Sequence, residues 1–222
     1  NRIGSSGCEF ILGLTVQTGL ATRTVAAASL AVVNVDTTVQ DKAVAFPTDA
    51  KLLNKARISV VKLAGKIGIE LRQPYTFKGQ EAFAQAARYA HARQFNRAAF
   101  HTKKLRTMLG RVIRDTQRKS ERMQISAKEQ ERLGKLLEIA SRIHNQPRVR
   151  QEGDPPKVYS VHAPEVECIS KGKAHKQYEF GVKVGIVTTS KESFVLAAST
   201  LPGNPYDGHT LKECLDQAQR TS

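Results

Sequence analysis

One aspartate in this chain stands where a carboxylate could take part in chemistry. Asp36 lies in the run 32–39, whose valines and threonines favour an extended backbone, and we predict one short strand over residues 25–39. A buried carboxylate without partners costs folding free energy, so an aspartate at the exposed edge of a strand suits a metal ligand or phosphate chemistry. A turn-capping role after a core strand explains the residue equally well from the sequence alone.

The positive charge of the chain is concentrated in one segment. The 222 residues include 35 Lys and Arg against 20 Asp and Glu, a formal net charge of +15. Residues 51–150 hold 24 basic and 7 acidic residues, a net charge of +17, whereas the rest of the chain holds 11 basic and 13 acidic residues. Such a segregated excess indicates a polyanionic partner. Nucleic acid fits better than a membrane surface, because the chain has no Trp and its basic helices lack a strongly apolar opposite face.

Helical spacing of apolar residues dominates the basic segment. The pattern predicts three amphipathic helices, over residues 50–67, from about 80 to 123, and from about 127 to 143. Ser126 and Glu129 have the spacing of a capping box at the start of the third helix.

The second predicted helix carries the densest group of cations. They surround the apolar stripe of Leu105, Leu109 and Val112, so they face away from the core. The alternative is a face that is merely solvated, but cations at this density repel one another unless a polyanion neutralises them. We therefore predict that this group binds DNA. Its members are Lys103, Lys104, Arg106, Arg111, Arg114, Arg118, Lys119 and Arg122.

The last third of the chain has the period-two alternation of a sheet. After a linker rich in Pro and Gly at 146–156, residues 157–161 form a short strand candidate, and 178–188 and 194–200 are predicted to pair as a hairpin. A helix is expected from Asp207 onward, with that residue as its N-cap.

This element order predicts the α/β (α+β) fold class. A strand with an aspartate, a large helical insertion, an antiparallel hairpin and a helix make up the opening order of a ribonuclease H-like fold. We assign residues 1–49 to the first part of that core, 50–150 to a basic helical insertion, and 151–222 to the continuation of the core. The second catalytic strand of such a fold would follow Ser222, so the predicted core is partial.

Sparse cysteines and the absence of long apolar runs limit the remaining alternatives. No run of 18 apolar residues occurs, so no membrane span is predicted. Cys8, Cys168 and Cys214 are far apart and odd in number, which favours reduced thiols and a cytoplasmic location. A zinc site built from His162, Cys168 and His175 is disfavoured, because these residues are too loosely spaced.

Six blocks, in the same order, carry a resemblance to a known family. They are VDTTVQ (35–40), FPTDAKL (46–52), KVYS (157–160), ISKGKAHK (169–176), YEFG (178–181) and NPYDGHTL (204–211). With these blocks the chain resembles the DDE transposases of bacterial insertion sequences, over most of its length. The chain begins with Asn1 in place of Met, which also fits a processed or partial form of such a protein.

The resemblance implies a catalytic core that cuts transposon ends and joins the freed 3′-hydroxyl to target DNA. Three carboxylates would hold two Mg²⁺ ions, for which Mn²⁺ can substitute. Asp36 corresponds to the first carboxylate, as catalytic residue and metal ligand, whereas the second and third have no counterpart in this sequence. The residues Lys173, His175 and Glu179 are expected either to contact DNA or to serve only as part of an edge strand.

The expected partners follow from the same resemblance. They are transposon-end DNA and target DNA, with room for a homodimer on DNA, in the bacterial cytoplasm and on the nucleoid. The rival hypothesis is a non-catalytic basic DNA-binding protein, in which the helices bind and the sheet is a scaffold. A basic structural protein of a ribonucleoprotein particle has the charge but does not explain Asp36 or the ordered blocks.

Overall fold

The chain consists of two compact units. A computed structural model describes residues 3–170 and 177–222. The first unit, here called the sheet unit, comprises Asn1–Ala43 and Glu167–Ser222, and the second, the helical unit, comprises Val44–Val166. Helices together with an antiparallel sheet make this an α+β protein.

The helical unit is larger than the predicted insertion of 50–150. It also takes in residues 44–49 and 151–166. The reason is packing, because Val158 and Val161 are buried in the core of this unit. These residues were predicted to form a strand, but they have no partner strand in the described structure; the backbone N–H of Val158 instead donates to a glutamine side chain.

The sheet unit is built around one long central strand. Its elements, with a short 3-10 helix at Ala27–Ala31, are α1 (Gly4–Ala21), β1 (Val33–Asp41), β2 (Glu167–Ser170), β3 (Tyr178–Thr189), β4 (Val195–Thr200) and α6 (Asp207–Thr221). All pairings are antiparallel: β1 runs along one side of β3, and β2 and β4 share its other side. The predicted hairpin of β3 and β4 is confirmed.

The first strand starts later than predicted. Residues 25–39 were expected to be extended throughout, but the structure has a 3-10 helix at Ala27–Ala31 and the strand begins at Val33. Two causes explain the difference. Alanines favour helical over extended backbone, and β3 ends at Thr189, the partner of Val33, so that among the described residues only the backbone N–H of Ser190, which donates to the carbonyl of Val32, continues the pairing.

Helices α1 and α6 cover one face of the sheet. Val16 from α1 and Cys214 from α6 are buried with Val187 of β3 and Leu196 of β4. At Gly185 a Cβ atom would lie 2.5 Å from Sγ of Cys214, so only glycine allows α6 to lie this close to β3. Among the helices that the structure describes, none is long and apolar enough to cross a membrane.

The helical unit contains four α-helices. They are α2 (Asp49–Lys66), α3 (Thr76–His91), α4 (Phe95–Ser120) and α5 (Ala127–Asn145). Helices α2 and α5 and the capping box of Ser126 with Glu129 are confirmed. The predicted single helix over 80–123 is two helices, because Arg93 takes a left-handed backbone conformation that ends α3.

A buried arginine joins α2 to the start of α3. Arg57 is 2% exposed, and its guanidinium donates to Oδ1 of Asn54 at 2.9 and 3.2 Å and to the carbonyl of Pro74 at 2.8 Å. Burial lowers the pKa of Arg57 from its ordinary value. Gly79 of α3 packs against it, since a Cβ there would lie 2.6 Å from the guanidinium. The three hydrogen bonds compensate for burying this charged group.

Candidate functional site

The sheet unit places Asp36 at an exposed position in the middle of β1. It lies opposite Ile186 of β3, and its side chain is exposed. Its Oδ1 accepts a hydrogen bond of 2.8 Å from the backbone N–H of Thr37. In the described residues β1 pairs only with β3, so its other edge is open. An exposed carboxylate in an edge strand is accessible to a ligand.

A second carboxylate is fixed near the same strand. The hydroxyl of Thr37 donates to Oδ1 of Asp207 at 2.9 Å, and Nζ of Lys183 forms an ion pair with the same oxygen at 2.6 Å. Lys183 also donates to the carbonyl of Pro205 at 2.6 Å, and its side chain is only 11% exposed. Strands β1 and β3 together therefore hold the start of α6.

The predicted N-cap role of Asp207 is wrong. Tyr206 occupies the N-cap position and makes no side-chain capping bond, while Asp207 is the first residue of α6. The physical reason is the largely buried ammonium of Lys183, which takes the carboxylate as its counter-charge. The ring of His209 contacts the Tyr206 ring edge-on, at 5.5 Å between centroids.

Asp36 and Asp207 line one small cleft of about 280 Å³. The rest of its lining includes Lys183, Ser170 and Asn204. The residues present do not fit a two-metal centre, because Asp36 supplies one carboxylate and Asp207 is paired with a lysine. Within residues 3–170 and 177–222 no cluster of three His, Cys, Asp or Glu side chains could hold a metal ion.

The residues considered for a zinc site or for contacts with DNA are only partly described. Nδ1 of His162 lies 2.9 Å from the Ser160 hydroxyl, and Cys168 lies in β2. Glu179 is 7% exposed within β3. Lys173 and His175 fall outside the described residues.

In the helical unit, two of the predicted DNA-binding residues are occupied with backbone carbonyls. Arg106 donates to the carbonyls of His144 at 2.7 Å and Gln146 at 3.2 Å, which satisfies the C-terminal end of α5. Lys119 donates to the carbonyl of Glu70 and lies 3.6 Å from the carboxylate of Asp115. These two cations support the fold of the unit. Lys103, Lys104, Arg111, Arg114, Arg118 and Arg122 are exposed.

Four arginines converge on a cleft between α4 and the loop before α3. This arginine cleft has a volume of about 500 Å³, and it is lined by Arg72, Gln73, Tyr75, Arg111, Arg114, Asp115 and Arg118. Arg72 was not among the predicted residues, because it lies in a loop with no periodicity to mark it. A single carboxylate among four guanidinium groups leaves the cleft strongly cationic.

The buried carboxylate of Asp115 builds the arginine cleft. It is 9% exposed, accepts from the backbone N–H of Arg72 at 2.8 Å, and accepts from Nη2 of Arg118 at 3.3 Å. Nη1 of Arg111 donates to the Tyr75 hydroxyl at 3.2 Å. The guanidinium groups of Arg72 and Arg114 have no hydrogen-bond or ion-pair partner in the part of the chain described here. These two are accessible for a ligand.

A second groove adjoins the arginine cleft and shares Tyr75 and Arg111 with it. This aromatic groove, about 670 Å³, lies along α3 and α4 and combines apolar and cationic side chains. Phe100 is 57% exposed there, and Nζ of Lys104 lies 4.6 Å from the centroid of its ring. The remaining lining residues are Lys78, Glu81, Ala82, His101, Lys103, Thr107 and Met108.

Comparison with known proteins adds one similarity. The chain is 53% identical over 94 residues to a Rhizobium meliloti protein described as "Uncharacterized protein ORF8 in nfe locus". The matched part is 42% of this chain and 45% of that protein, so the chain covers less than half the length of this curated relative. No protein-family model matches the chain, and no solved structure matches it. The description of this relative names no activity.

Proposed function

We propose that this chain is part of a DDE transposase of a bacterial insertion sequence, with a ribonuclease H-like sheet unit that carries the first catalytic carboxylate and a helical unit that binds DNA. One observation carries the proposal. Asp36 lies on β1, which pairs with β3, which pairs with β4, and α6 follows. This order of strands and helix is the one expected at the start of a ribonuclease H-like fold with a helical insertion after the first strand, and it supports the proposal.

The division of charge supports the role of the helical unit. Val44–Val166 contains 25 basic and 11 acidic residues, a net charge of +14, whereas the sheet unit contains 10 basic and 9 acidic residues. Phosphates of a DNA backbone neutralise such a surplus and release counterions on binding, which is a sequence-independent source of affinity. The helical unit therefore contributes sequence-independent affinity for DNA and not sequence recognition.

The sheet unit contributes the position of one carboxylate. Thr37 and Lys183 hold Asp207 and the start of α6 next to the strand that carries Asp36. A two-ion centre needs further carboxylates, which the described residues do not provide. We therefore expect this chain to bind DNA without cleaving it.

Salt dependence tests the proposal. Binding of the chain to a duplex of mixed sequence should weaken by several orders of magnitude between about 50 and 200 mM salt, if roughly six to ten phosphates are contacted. Fluorescence anisotropy over this range gives the slope of log Kd against log salt. A curve that does not respond to salt, or no binding at the lowest salt, contradicts the proposal.

The second candidate is a non-catalytic basic DNA-binding protein. The ion pair between Lys183 and Asp207 favours this second candidate, because Asp207, a carboxylate near Asp36, has a structural role in the pair. A DNA cleavage assay distinguishes the two candidates when it is done with a longer protein that contains this chain and further carboxylates. A transposase would cleave transposon-end DNA with Mg²⁺ or Mn²⁺, and Asp36→Asn would abolish cleavage while leaving DNA binding intact. Cleavage that survives this substitution would remove Asp36 from the chemistry.

A further inference from the structure

We infer that the arginine cleft and the aromatic groove together bind a single strand of DNA, with backbone phosphates in the cleft and a base stacked on Phe100 in the groove. This inference rests on the proposed DNA binding by the helical unit. It goes beyond that function, because it specifies that the two surfaces bind single-stranded DNA in preference to duplex DNA.

The arginine cleft has the construction of a phosphate site. Asp115 bonds to the backbone of Arg72 and to the side chain of Arg118, so it fixes the loop that carries Arg72 above α4. Arg72 and Arg114 then point unpaired guanidinium groups into the same cleft. Guanidinium groups bind phosphate oxygens through paired N–H donors, and an anion also relieves their mutual repulsion.

The aromatic groove offers what a base needs. Phe100 is 57% exposed, its ring contacts the His101 ring edge-on at 5.4 Å between centroids, and Met108 and Ala82 extend the apolar wall beside it. Lys104 next to the ring brings a cation to the same place. Proteins that bind single strands combine such aromatic rings, on which bases stack, with cations along the backbone.

The shared residues Tyr75 and Arg111 make the two surfaces continuous. A strand can therefore pass from one to the other without leaving the protein. Tyr75 has a left-handed backbone conformation, φ 55°, and its hydroxyl accepts from Arg111, which fixes the junction. A duplex would use the cations alone, because its bases are paired and stacked inside the helix. The apolar wall of the groove distinguishes the single strand from the duplex.

The test compares a labelled strand of about 20 nucleotides with its duplex, using the full chain and fluorescence anisotropy at one low salt concentration. Phe100→Leu should weaken binding of the single strand by about tenfold, which is within the range for one lost stacking contact, and change duplex binding less than about twofold. Its control is Phe77→Leu, since Phe77 is 88% exposed at the start of α3 and outside the lining of both surfaces. The control should change neither affinity.

The phosphate cleft needs its own pair of variants. Arg72→Gln with Arg114→Gln should weaken single-strand binding. Arg88→Gln with Arg132→Gln removes the same charge from two exposed residues outside the lining of both surfaces, and it should have a smaller effect. A 2-aminopurine base in the strand adds a second measurement. Its fluorescence should fall on binding to the wild-type chain, because stacking quenches it, and should fall less with Phe100→Leu.

The outcomes separate this inference from the proposed function. If Phe100→Leu leaves single-strand binding unchanged, or weakens strand and duplex equally, the single-strand inference is overturned and general DNA binding stands. If the wild-type chain binds neither strand nor duplex, the proposed function itself fails. Circular dichroism of each variant checks that the exposed substitutions leave the fold intact.

Discussion

The two units use their buried charges for different purposes. In the helical unit, Arg57 and Asp115 are buried and bonded so that they hold the loop before α3, while the surplus cations remain on the surface. In the sheet unit, which is nearly neutral, Lys183 and Asp207 pair to place α6 beside the strand of Asp36. The exposed cations that could bind a ligand are therefore different residues from the buried charged residues that hold loops and helices in place. Substitutions in the two groups should have different effects on DNA affinity and on stability.

The largest expected effect is the loss of DNA binding when the exposed cations of α4 are removed. Replacing Lys103, Lys104, Arg111, Arg114 and Arg118 with Gln should lower the affinity for DNA by roughly two to three orders of magnitude at low salt. The log–log salt slope should also fall, because each phosphate contact contributes about one. Anisotropy titrations measure both quantities.

A control comes from the sheet unit, to be compared with the pair Lys103→Gln and Lys104→Gln in the helical unit. Lys191 and Lys212 are exposed in the sheet unit, and replacing both with Gln should change affinity little. Arg106→Gln tests a cation that supports the fold, since its guanidinium donates to the carbonyls of His144 and Gln146. This substitution should lower the free energy of unfolding and have little effect on the salt slope. Equal losses of DNA affinity from the variants of the α4 cations and from the variant of Lys191 and Lys212 would show that DNA binding does not belong to the helical unit.

The next effect concerns the packing of the buried arginine. Gly79→Ala should destabilise the protein by about 1–3 kcal/mol, because the new Cβ would overlap a guanidinium held by three hydrogen bonds. Gly134→Ala is the control: it also lies within a helix, α5, but apart from the adjoining backbone of that helix no atom lies within 4 Å of the added Cβ. It should stabilise by about 0.5–1 kcal/mol through helix propensity. Urea unfolding of both variants measures the difference, and a neutral Gly79→Ala would mean that the Arg57 guanidinium can shift.

The sequence predicted the regular elements well and the contacts between them poorly. Alternation in β3 and the 3.6 period of α2 and α5 mark elements with one buried face each, so these were confirmed. The break at Arg93 was missed, because no glycine or proline announces it. A left-handed arginine is set by the packing of the helices on either side.

The candidate sites show the same limit. Asp36 could be identified from the sequence, because consecutive residues on either side of it have the pattern of a strand. The partner of Asp207 could not, because Lys183 reaches it only through the way β3 and α6 pack. Arg72 joins the arginine cleft through a backbone bond to Asp115, 43 residues away in sequence. Periodicity carries no information about such pairs.

A smaller effect is expected from the ion pair in the sheet unit, and it should be asymmetric. Asp207→Asn leaves a lysine that is 11% exposed without its counter-charge, whereas Lys183→Met leaves an aspartate that is 64% exposed and can be hydrated. Asp207→Asn should therefore cost about 1–2 kcal/mol, and Lys183→Met less. Urea unfolding at neutral pH compares the two. Equal costs would mean that water solvates the Lys183 ammonium.

The smallest effect lies in the helical unit, at the capping box of α5, and it depends on pH. Hydrogen bonds from the hydroxyl and backbone N–H of Ser126 lower the pKa of Glu129 from its ordinary value. A carboxylate with a lowered folded-state pKa stabilises the protein above its unfolded-state pKa, and this contribution is lost as the pH falls through the folded value. Glu129→Gln should therefore be slightly less stable than the wild type at pH 7, and the difference should shrink as the pH falls below about 5. Urea unfolding at several pH values between about 7 and 3 measures the gap, with Glu121→Gln as the control, because that exposed residue follows α4 outside the capping box. A gap that stays constant over this range would show that the charge of the Glu129 carboxylate does not contribute to the cap.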